Sequence, residues 1–249
     1  MIQLEEIQTE YGTINVSRTR ATGALTYEVG GRRQAAADGN GISLAPYIHA
    51  IFSLLTQAKA RDILMIGGAG CTLGTMLAQA GRKATIVDVN PASFAVARQH
   101  FGLPDSVICR VADGKAFLRD QAGTHDAIVL DAFHGDDIPP HLLWPQFFDL
   151  ARGHLAPGGA MFVNILVKHD FDDCADQLAR SMKSAWSDVR VLDAMGICDR
   201  NAIVMAGRVS HLQEPDMLMR PDMDAKAIQR QLRRLQFRGL KKPPRVFGG

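Results

Sequence analysis

Glycines and aspartates stand where apolar segments of this sequence end, and together they could bind a nucleoside. The stretch ILMIGGAGCTLGTML passes from an apolar segment to Gly67, Gly68 and Gly70. A turn without side chains lets a ligand contact the backbone amides at the start of the helix that follows. Asp88 ends the next apolar segment, about 20 residues later, where a carboxylate can accept hydrogen bonds from both hydroxyls of a ribose.

Asp113 and Gly114 follow a third apolar segment and extend the same pattern. A carboxylate at that point can accept a hydrogen bond from the amino group of adenine, so these positions together predict a slot for adenosine. In the alternative interpretation, Asp88 and Asp113 only cap the helices that follow them. No GKS or GKT segment follows the glycines to hold a triphosphate. We therefore favour a sulfonium nucleoside such as S-adenosylmethionine over ATP.

Short apolar strands alternate with helical segments through the middle of the chain. This alternation is typical of a parallel sheet that helices cover on both faces, so we predict a Rossmann-like α/β fold with a mostly parallel sheet. Residues 189–193 and 202–206 are predicted to add a hairpin-like pair. The other predicted strands cover residues 63–66, 84–88, 106–111, 127–131 and 160–166, and the predicted helices cover residues 73–80, 91–100, 113–121 and 142–154.

The sequence divides into three segments. Residues 1–43 are predicted to form a small N-terminal β segment, because residues 11–34 alternate apolar and polar side chains between glycines, as two or three antiparallel strands do. Residues 44–210 form the predicted nucleoside-binding α/β domain, which opens with a helix over residues 44–56. Residues 211–249 form a basic C-terminal tail that is predicted to be helical in part.

The basic tail is predicted to pack against the acidic remainder, either within one chain or across a dimer. Residues 226–249 contain eight Lys and Arg residues and no acid, so the rest holds 20 basic and 26 acidic residues and has a formal charge of −6. Apolar residues recur at helical spacing over residues 227–237, and Gly239 and the Pro243–Pro244 pair are predicted to end that helix. Because the basic residues lack interleaved aromatic side chains, a nucleic-acid partner is disfavoured.

Cysteine content and hydropathy exclude several classes of protein. The four cysteines form no CxxC pair and have no histidine at ligand spacing, so we expect neither a metal site nor a disulfide framework. No apolar run approaches the ~20 residues that span a bilayer. Acidic residues occupy the N-terminus, where a signal peptide has basic ones. We expect a cytoplasmic protein that uses no membrane and no metal.

Several stretches resemble, in order and spacing, the spermidine synthase family of aminopropyltransferases. They are ILMIGGAGCTLGTML, ATIVDVNPASFAVARQHFG, VADGKAFLRD and HDAIVLDAFHGDDIPPHLLWPQFFDLARGHLAPGG. The resemblance implies the fold of class I methyltransferases, preceded by a small N-terminal β-hairpin domain. It also implies a homodimer that transfers an aminopropyl group from decarboxylated S-adenosylmethionine to a small-molecule amine. For the nucleoside, it implies that Asp88 binds the ribose and that Asp113 binds the adenine. It also implies that Asp131 helps to deprotonate the attacking amine and that Gln34 lines the cofactor pocket.

Two positions depart from the family pattern. Gly70 stands where the glycine loop GGGDGG of the family has an aspartate that binds the amine of the aminopropyl group. In the segment from Asp131 to His134, a histidine replaces the second acidic residue that faces the polyamine. His134 is therefore either a general base that Asp131 orients or a loop histidine with no role in catalysis.

These departures leave both the acceptor and the reaction open. The acids Asp136, Asp137 and those within residues 168–174 either replace the lost carboxylates or are solvated loop residues. Methyl transfer from S-adenosylmethionine is the alternative to aminopropyl transfer, because the amides from Gly68 to Cys71 could hold the carboxylate of that donor. A third alternative is a non-catalytic nucleoside-binding protein of the same fold.

Overall fold

The N-terminal residues form an antiparallel sheet beside the main domain. The computed structural model describes residues 1–241 of the chain. The strands are β1 Ile2–Ile7, β2 Ile14–Arg18, β3 Leu25–Val29 and β4 Arg32–Ala37. They pair in chain order, each antiparallel to its neighbour. Strands β2, β3 and β4 correspond to the predicted ones, whereas β1 is largely exposed and therefore lacks a clear apolar alternation.

Within residues 1–241, eight further strands form the main sheet and seven helices flank it. The strands are β5 Asp62–Ile66, β6 Lys83–Asp88, β7 Ile108–Val111, β8 His125–Leu130, β9 Leu155–Val167, β10 Val189–Asp193, β11 Arg200–Gly207 and β12 Gln236–Arg238. The helices are α1 Pro46–Gln57, α2 Thr72–Gln79, α3 Pro91–His100, α4 Gly114–Asp120, α5 Pro145–Gly153, α6 Cys174–Met182 and α7 Ala225–Leu232.

The main sheet is parallel from β9 to β7 and antiparallel beyond β9. Its strand order is β12-β10-β11-β9-β8-β5-β6-β7, and β10 and β11 form the predicted hairpin-like pair. The predicted Rossmann-like α/β fold with a mostly parallel sheet is confirmed. Helices α1, α2, α3 and α7 pack on one face of the sheet, and α4, α5 and α6 pack on the other. The strands β5, β6 and β8 are largely apolar because both of their faces are buried.

The parallel topology brings the candidate residues to one edge of the sheet. Gly67 follows β5, Asp88 ends β6, Asp113 follows β7 and Asp131 follows β8. Carboxyl ends of parallel strands lie at the same edge, where the loops of α/β proteins bind their ligands.

The C-terminal segment joins the main sheet, which the sequence analysis did not predict. Helix α7 ends at Leu232, and residues 236–238 form β12, which pairs antiparallel with β10. The guanidinium of Arg190 lies over the ring of Phe237, 3.4 Å from its centroid. The predicted helix is confirmed as far as Leu232, but its continuation through residue 237 was wrong, because residues 236–238 pair with the edge of β10 instead. The Pro243–Pro244 pair lies outside the described residues.

Side chains of this segment contact the rest of the chain. Ile228, Leu232 and Leu235 are buried in the main core. Arg238 donates hydrogen bonds to both carboxylate oxygens of Asp176 and to Oδ2 of Asp193, each at 2.9 Å. The C-terminal segment therefore packs against buried acidic groups of the same chain.

Candidate active site at the carboxyl edge of the parallel sheet

The glycine turn after β5 packs directly against neighbouring backbone and side chains. Gly67 has a φ of +96°, and a Cβ there would overlap the backbone carbonyl of Asp131. Gly70 has a φ of +62°, and a Cβ there would lie 2.8 Å from the Cβ of Ala35 on β4. The absence of side chains therefore lets the turn contact the end of β8 on one side and the N-terminal sheet on the other.

Asp131 lies at this edge between two hydrogen-bond donors. The hydroxyl of Tyr47 donates to its Oδ2 at 3.2 Å, and the side-chain amide of Asn164 donates to its Oδ1 at 2.7 Å. Asn201 in turn donates to the side-chain oxygen of Asn164 at 3.0 Å. Burial raises the pKa of Asp131 although both hydrogen bonds lower it. A carboxylate with a raised pKa is a stronger proton acceptor, which suits general-base chemistry.

Tyr47 and Asn164 were not singled out in the sequence. Burial and the adjacent charge of Asp131 raise the pKa of Tyr47 well above its ordinary value, so its hydroxyl remains a hydrogen-bond donor. Asn164 is buried in β9, the only amide side chain in the apolar run AMFVNILV. A buried amide needs a polar partner, so this exception within an apolar strand was a usable signal. Tyr47, in the first turn of α1, carried no such signal.

A cleft opens beside Asp131. Its walls include Gln34 from β4, Tyr47 from α1, and Gly67 and Gly68 from the turn after β5. The structure thus brings together residues from the N-terminal sheet and the main domain, including four of the predicted site residues.

Asp88 lies next to the glycine turn, although it does not line this cleft. Its Oδ2 accepts the backbone N–H of Gly68 at 2.7 Å, and its Oδ1 accepts the backbone N–H of Asn90 at 2.8 Å. Burial raises the pKa of Asp88 against the lowering effect of both hydrogen bonds. Each carboxylate oxygen retains a lone pair for a second donor such as a ribose hydroxyl. The cap of α3 is Asn90 and not Asp88.

Asp113 is already engaged by groups of its own chain. Its Oδ1 caps α4 by accepting the backbone N–H of Ala116 at 2.9 Å, and its Oδ2 accepts a hydrogen bond from His141 Nε2 at 2.7 Å. Burial would raise the pKa of Asp113, but these hydrogen bonds outweigh it and lower that pKa. The capping interpretation therefore describes Asp113. Gly114 packs α4 closely on β5, where a Cβ would overlap the side chain of Ile66.

His134 does not partner Asp131. Its side chain is exposed in the loop after β8, and its backbone N–H donates to the carbonyl of Asp137 at 2.8 Å. Asp131 makes its hydrogen bonds to Tyr47 and Asn164 instead. The expectation that Asp131 orients His134 was therefore wrong, because the side chain of His134 is exposed while Tyr47 and Asn164 hold the carboxylate of Asp131.

Two curated relatives carry names of one enzyme class. The polyamine aminopropyltransferase 2 of Pseudomonas aeruginosa is 32% identical over 149 residues, which cover 55% of this chain and 43% of that protein. The polyamine aminopropyltransferase of Vibrio vulnificus is 24% identical over 193 residues, which cover 74% of this chain and 63% of that protein. The resemblance to the spermidine synthase family is confirmed. The chain spans less than two thirds of the length of these relatives, and no protein-family model matches it.

The fold of this chain is also found among solved structures. A probable spermidine synthase from Corynebacterium glutamicum matches with a TM-score of 0.78 and 21% identity, covering 95% of this chain and 90% of that one. Human methyltransferase-like protein 13, in complex with SAH, matches with a TM-score of 0.52 and 20% identity, covering 82% of this chain and 95% of that one. The first match covers both the N-terminal sheet and the main domain of this chain. The predicted methyltransferase-like fold is confirmed.

Proposed function

We propose that this chain transfers an aminopropyl group from decarboxylated S-adenosylmethionine to the nitrogen of a small-molecule amine. The observation that carries the proposal is the position of Asp131, which has two side-chain donors and opens into the cleft formed with the glycine turn. The names of the curated relatives support the same reaction.

The proposed reaction needs a base and alignment from the protein. A bound adenosyl sulfonium supplies an electrophilic carbon and its own leaving group. The acceptor nitrogen forms a bond to that carbon, the carbon–sulfur bond breaks, and its electron pair goes to the sulfur of 5′-methylthioadenosine. Asp131 accepts the proton that the nitrogen loses, and Tyr47 and Asn164 hold the carboxylate in place. Holding donor and acceptor in line accounts for much of the expected acceleration.

The nucleoside is proposed to lie across the ends of β5, β6 and β7. Asp88 is fixed by two backbone amides, with lone pairs left for ribose hydroxyls. Two exposed apolar side chains flank this region, since Val89 is 40% and Val111 57% exposed. They provide apolar contacts for a base, and Asp113 would have to exchange its bond with His141 in order to bind an adenine amino group. Gln34 and the turn amides are proposed to contact the sulfonium end.

Methyl transfer is the second candidate, and the geometry of Gly70 favours it. The resemblance places a carboxylate for the aminopropyl amine at this position, but a Cβ there would lie 2.8 Å from Ala35. The turn is therefore packed as a glycine turn. Its amides precede α2, and the N-terminal end of a helix attracts an anion such as the carboxylate of S-adenosylmethionine.

Calorimetric titration with both donors tests the proposal. Aminopropyl transfer predicts that the decarboxylated donor and 5′-methylthioadenosine bind, and that S-adenosylmethionine binds more weakly than its decarboxylated form. Tighter binding of S-adenosylmethionine would assign the cleft to methyl transfer. Failure of all three compounds to bind would contradict a nucleoside site at this edge.

The remaining expectations on partners and location stay predictions. They are the homodimer, the cytoplasmic location and the absence of a nucleic-acid partner. No helix within residues 1–241 is long and apolar enough to cross a membrane. In the same part of the chain, no group of three or more His, Cys, Asp or Glu side chains is arranged to hold a metal ion.

A further inference from the structure

Asn164 has two different groups that it can turn towards Asp131. An asparagine side chain carries a carbonyl oxygen, which accepts hydrogen bonds, and an amino group, which donates them. An ionised carboxylate can only accept, so the amino group has to face it. The structure has this arrangement, with Nδ2 of Asn164 2.7 Å from Oδ1 of Asp131. The opposite orientation would place two oxygens against each other and would favour protonated Asp131, which is not a base.

The side-chain oxygen of Asn164 needs a donor of its own. Asn164 is 1% exposed, and a buried polar atom without a partner costs free energy. Asn201 supplies the donor, because its Nδ2 lies 3.0 Å from Oδ1 of Asn164. The amide of Asn164 therefore lies between a donor on one side and an acceptor on the other, and turning it over would break both hydrogen bonds.

The antiparallel pairing of β9 and β11 brings the two asparagines together. Asn164 is directly opposite Ile203, and Asn201 lies two residues from Ile203 along β11. Side chains two residues apart in a strand share one face, so Asn201 is a diagonal neighbour of Asn164. Arg200, the preceding residue, is buried and donates through Nε to Asp193 at 2.6 Å. Strand pairing and a buried ion pair thus fix the backbone that carries Asn201.

We propose that Asn201 is a positioning residue, which keeps the amino group of Asn164 turned towards Asp131 and so keeps Asp131 ionised as the base. The inference rests on the proposed aminopropyl transfer and deepens the account of its base. Asn201 donates to Asn164, and Asn164 donates to Asp131, so the effect passes through the orientation of one amide. Asn201→Asp keeps the shape of the side chain but replaces the donor by an acceptor, which would turn the amide of Asn164 over.

The pH dependence of kcat tests this role. Release of 5′-methylthioadenosine from decarboxylated S-adenosylmethionine with diaminobutane is measured for the wild type, Asn201→Asp, Asn164→Leu and the double variant. Leu is close to Asn in shape and suits an apolar strand, so Asn164→Leu removes the donor to Asp131 without opening a void. Gln146 is an exposed amide in the first turn of α5, so Gln146→Glu controls for exchanging an amide for a carboxylate.

Other titratable groups near the base stay the same in all of these proteins. Tyr47 and Cys71 line the same cleft, and burial raises the pKa of both groups well above their ordinary values, so neither titrates on the acidic side. Asp88 beside the glycine turn and the exposed Asp199 before β11 are present in every variant. A difference between variants on the acidic limb therefore reports Asp131.

The inference predicts one change that the two single variants share. On the acidic limb, kcat of Asn201→Asp should fall about 10- to 100-fold, the range for losing a hydrogen bond to a charged group. It should fall by a smaller factor on the alkaline plateau, where Asp131 is ionised in both proteins. Asn164→Leu should change in the same direction, and the double variant should match it, because Asn201 then has no amide to orient. Gln146→Glu should match the wild type, and calorimetry should give every variant the wild-type Kd for 5′-methylthioadenosine.

Two results would overturn the inference while leaving aminopropyl transfer intact. One is an acidic limb of Asn201→Asp that coincides with that of the wild type. The other is a double variant whose limb moves beyond that of Asn164→Leu by the amount seen in Asn201→Asp alone, since the new carboxylate would then act through its charge and not through the amide. A wild type that releases no 5′-methylthioadenosine would overturn the inference together with the proposed function.

Discussion

Replacing Asp131 by Asn removes the proposed base but retains the hydrogen bonds to the neighbouring side chains. The Asn side-chain oxygen can accept the hydrogen bond that Asn164 now donates to Oδ1 at 2.7 Å. Its amide group can donate to the hydroxyl of Tyr47, which now donates to Oδ2 at 3.2 Å. Because the substitution keeps shape and hydrogen bonding, a loss of rate would report the missing proton acceptor and not a collapsed site.

The size of that loss follows from the role of the carboxylate. A positioned general base contributes about 10²- to 10⁴-fold to a rate, so kcat of Asp131→Asn should fall by about that factor. No proposed contact to adenosine involves Asp131, so the Kd for 5′-methylthioadenosine should match that of the wild type. Steady-state release of 5′-methylthioadenosine measures kcat, and calorimetric titration measures Kd. The exposed Asp149→Asn variant should behave as the wild type in both assays.

The pH dependence gives the same prediction a second readout. Protonation of Asp131 removes the base, so wild-type kcat should fall as the pH drops through its pKa, which burial raises. That acidic limb should be absent in Asp131→Asn. Wild-type turnover by this variant, or an unchanged acidic limb, would refute the assignment of Asp131 as the base.

Three further predictions concern the nucleoside and the C-terminal segment. Asp88→Ala should weaken binding of 5′-methylthioadenosine by about 1.5–3 kcal/mol in calorimetry, and unchanged affinity would place the nucleoside elsewhere. Arg238→Met should lower the free energy of unfolding by about 3 kcal/mol in urea titrations, because Asp176 and Asp193 lose a buried partner; equal midpoints would contradict this. Hydrogen bonds from arginines outweigh burial and lower the pKa of both carboxylates, so their stabilisation is complete above the unfolded pKa of about 3.9. It should be lost as the pH falls through the lower folded values, and stability that stays flat on acidification would argue against it.

Local sequence patterns were sufficient for the parallel part of the main sheet and its helices. The apolar runs that predicted β5, β6 and β8 are largely buried, and the predicted helix over residues 91–100 coincides with α3. The parallel topology then placed Asp88 and Asp131 at one edge without further information. These features depend on periodicity within one segment and on the rule for strand ends, so a single sequence reveals them.

The partners of the base depend on contacts between distant segments. Tyr47 and Asn164 reach Asp131 across 84 and 33 residues of sequence. His134, only three residues away along the chain, points outward instead. Proximity in sequence favoured the wrong partner, because the direction of a loop after a strand is set by what the loop packs against.

The C-terminal strand was missed for a related reason. Leu232 and Leu235 have helical spacing, yet β12 follows them because the edge of β10 is open for pairing. The guanidinium of Arg238 then reaches Asp176 and Asp193, which lie 62 and 45 residues earlier. Whether these residues form a helix or a strand depends on pairing with a distant segment, and a local sequence pattern does not contain that information.

Mass analysis of the acceptor after incubation with a donor tests the central claim most directly. The purified chain is incubated with diaminobutane and either decarboxylated S-adenosylmethionine or S-adenosylmethionine, and the amine products are identified by mass spectrometry. Aminopropyl transfer predicts an amine that has gained one aminopropyl group, together with 5′-methylthioadenosine, in the first incubation only. A methylated amine with S-adenosylhomocysteine in the second incubation, or unchanged amine in both, would contradict it.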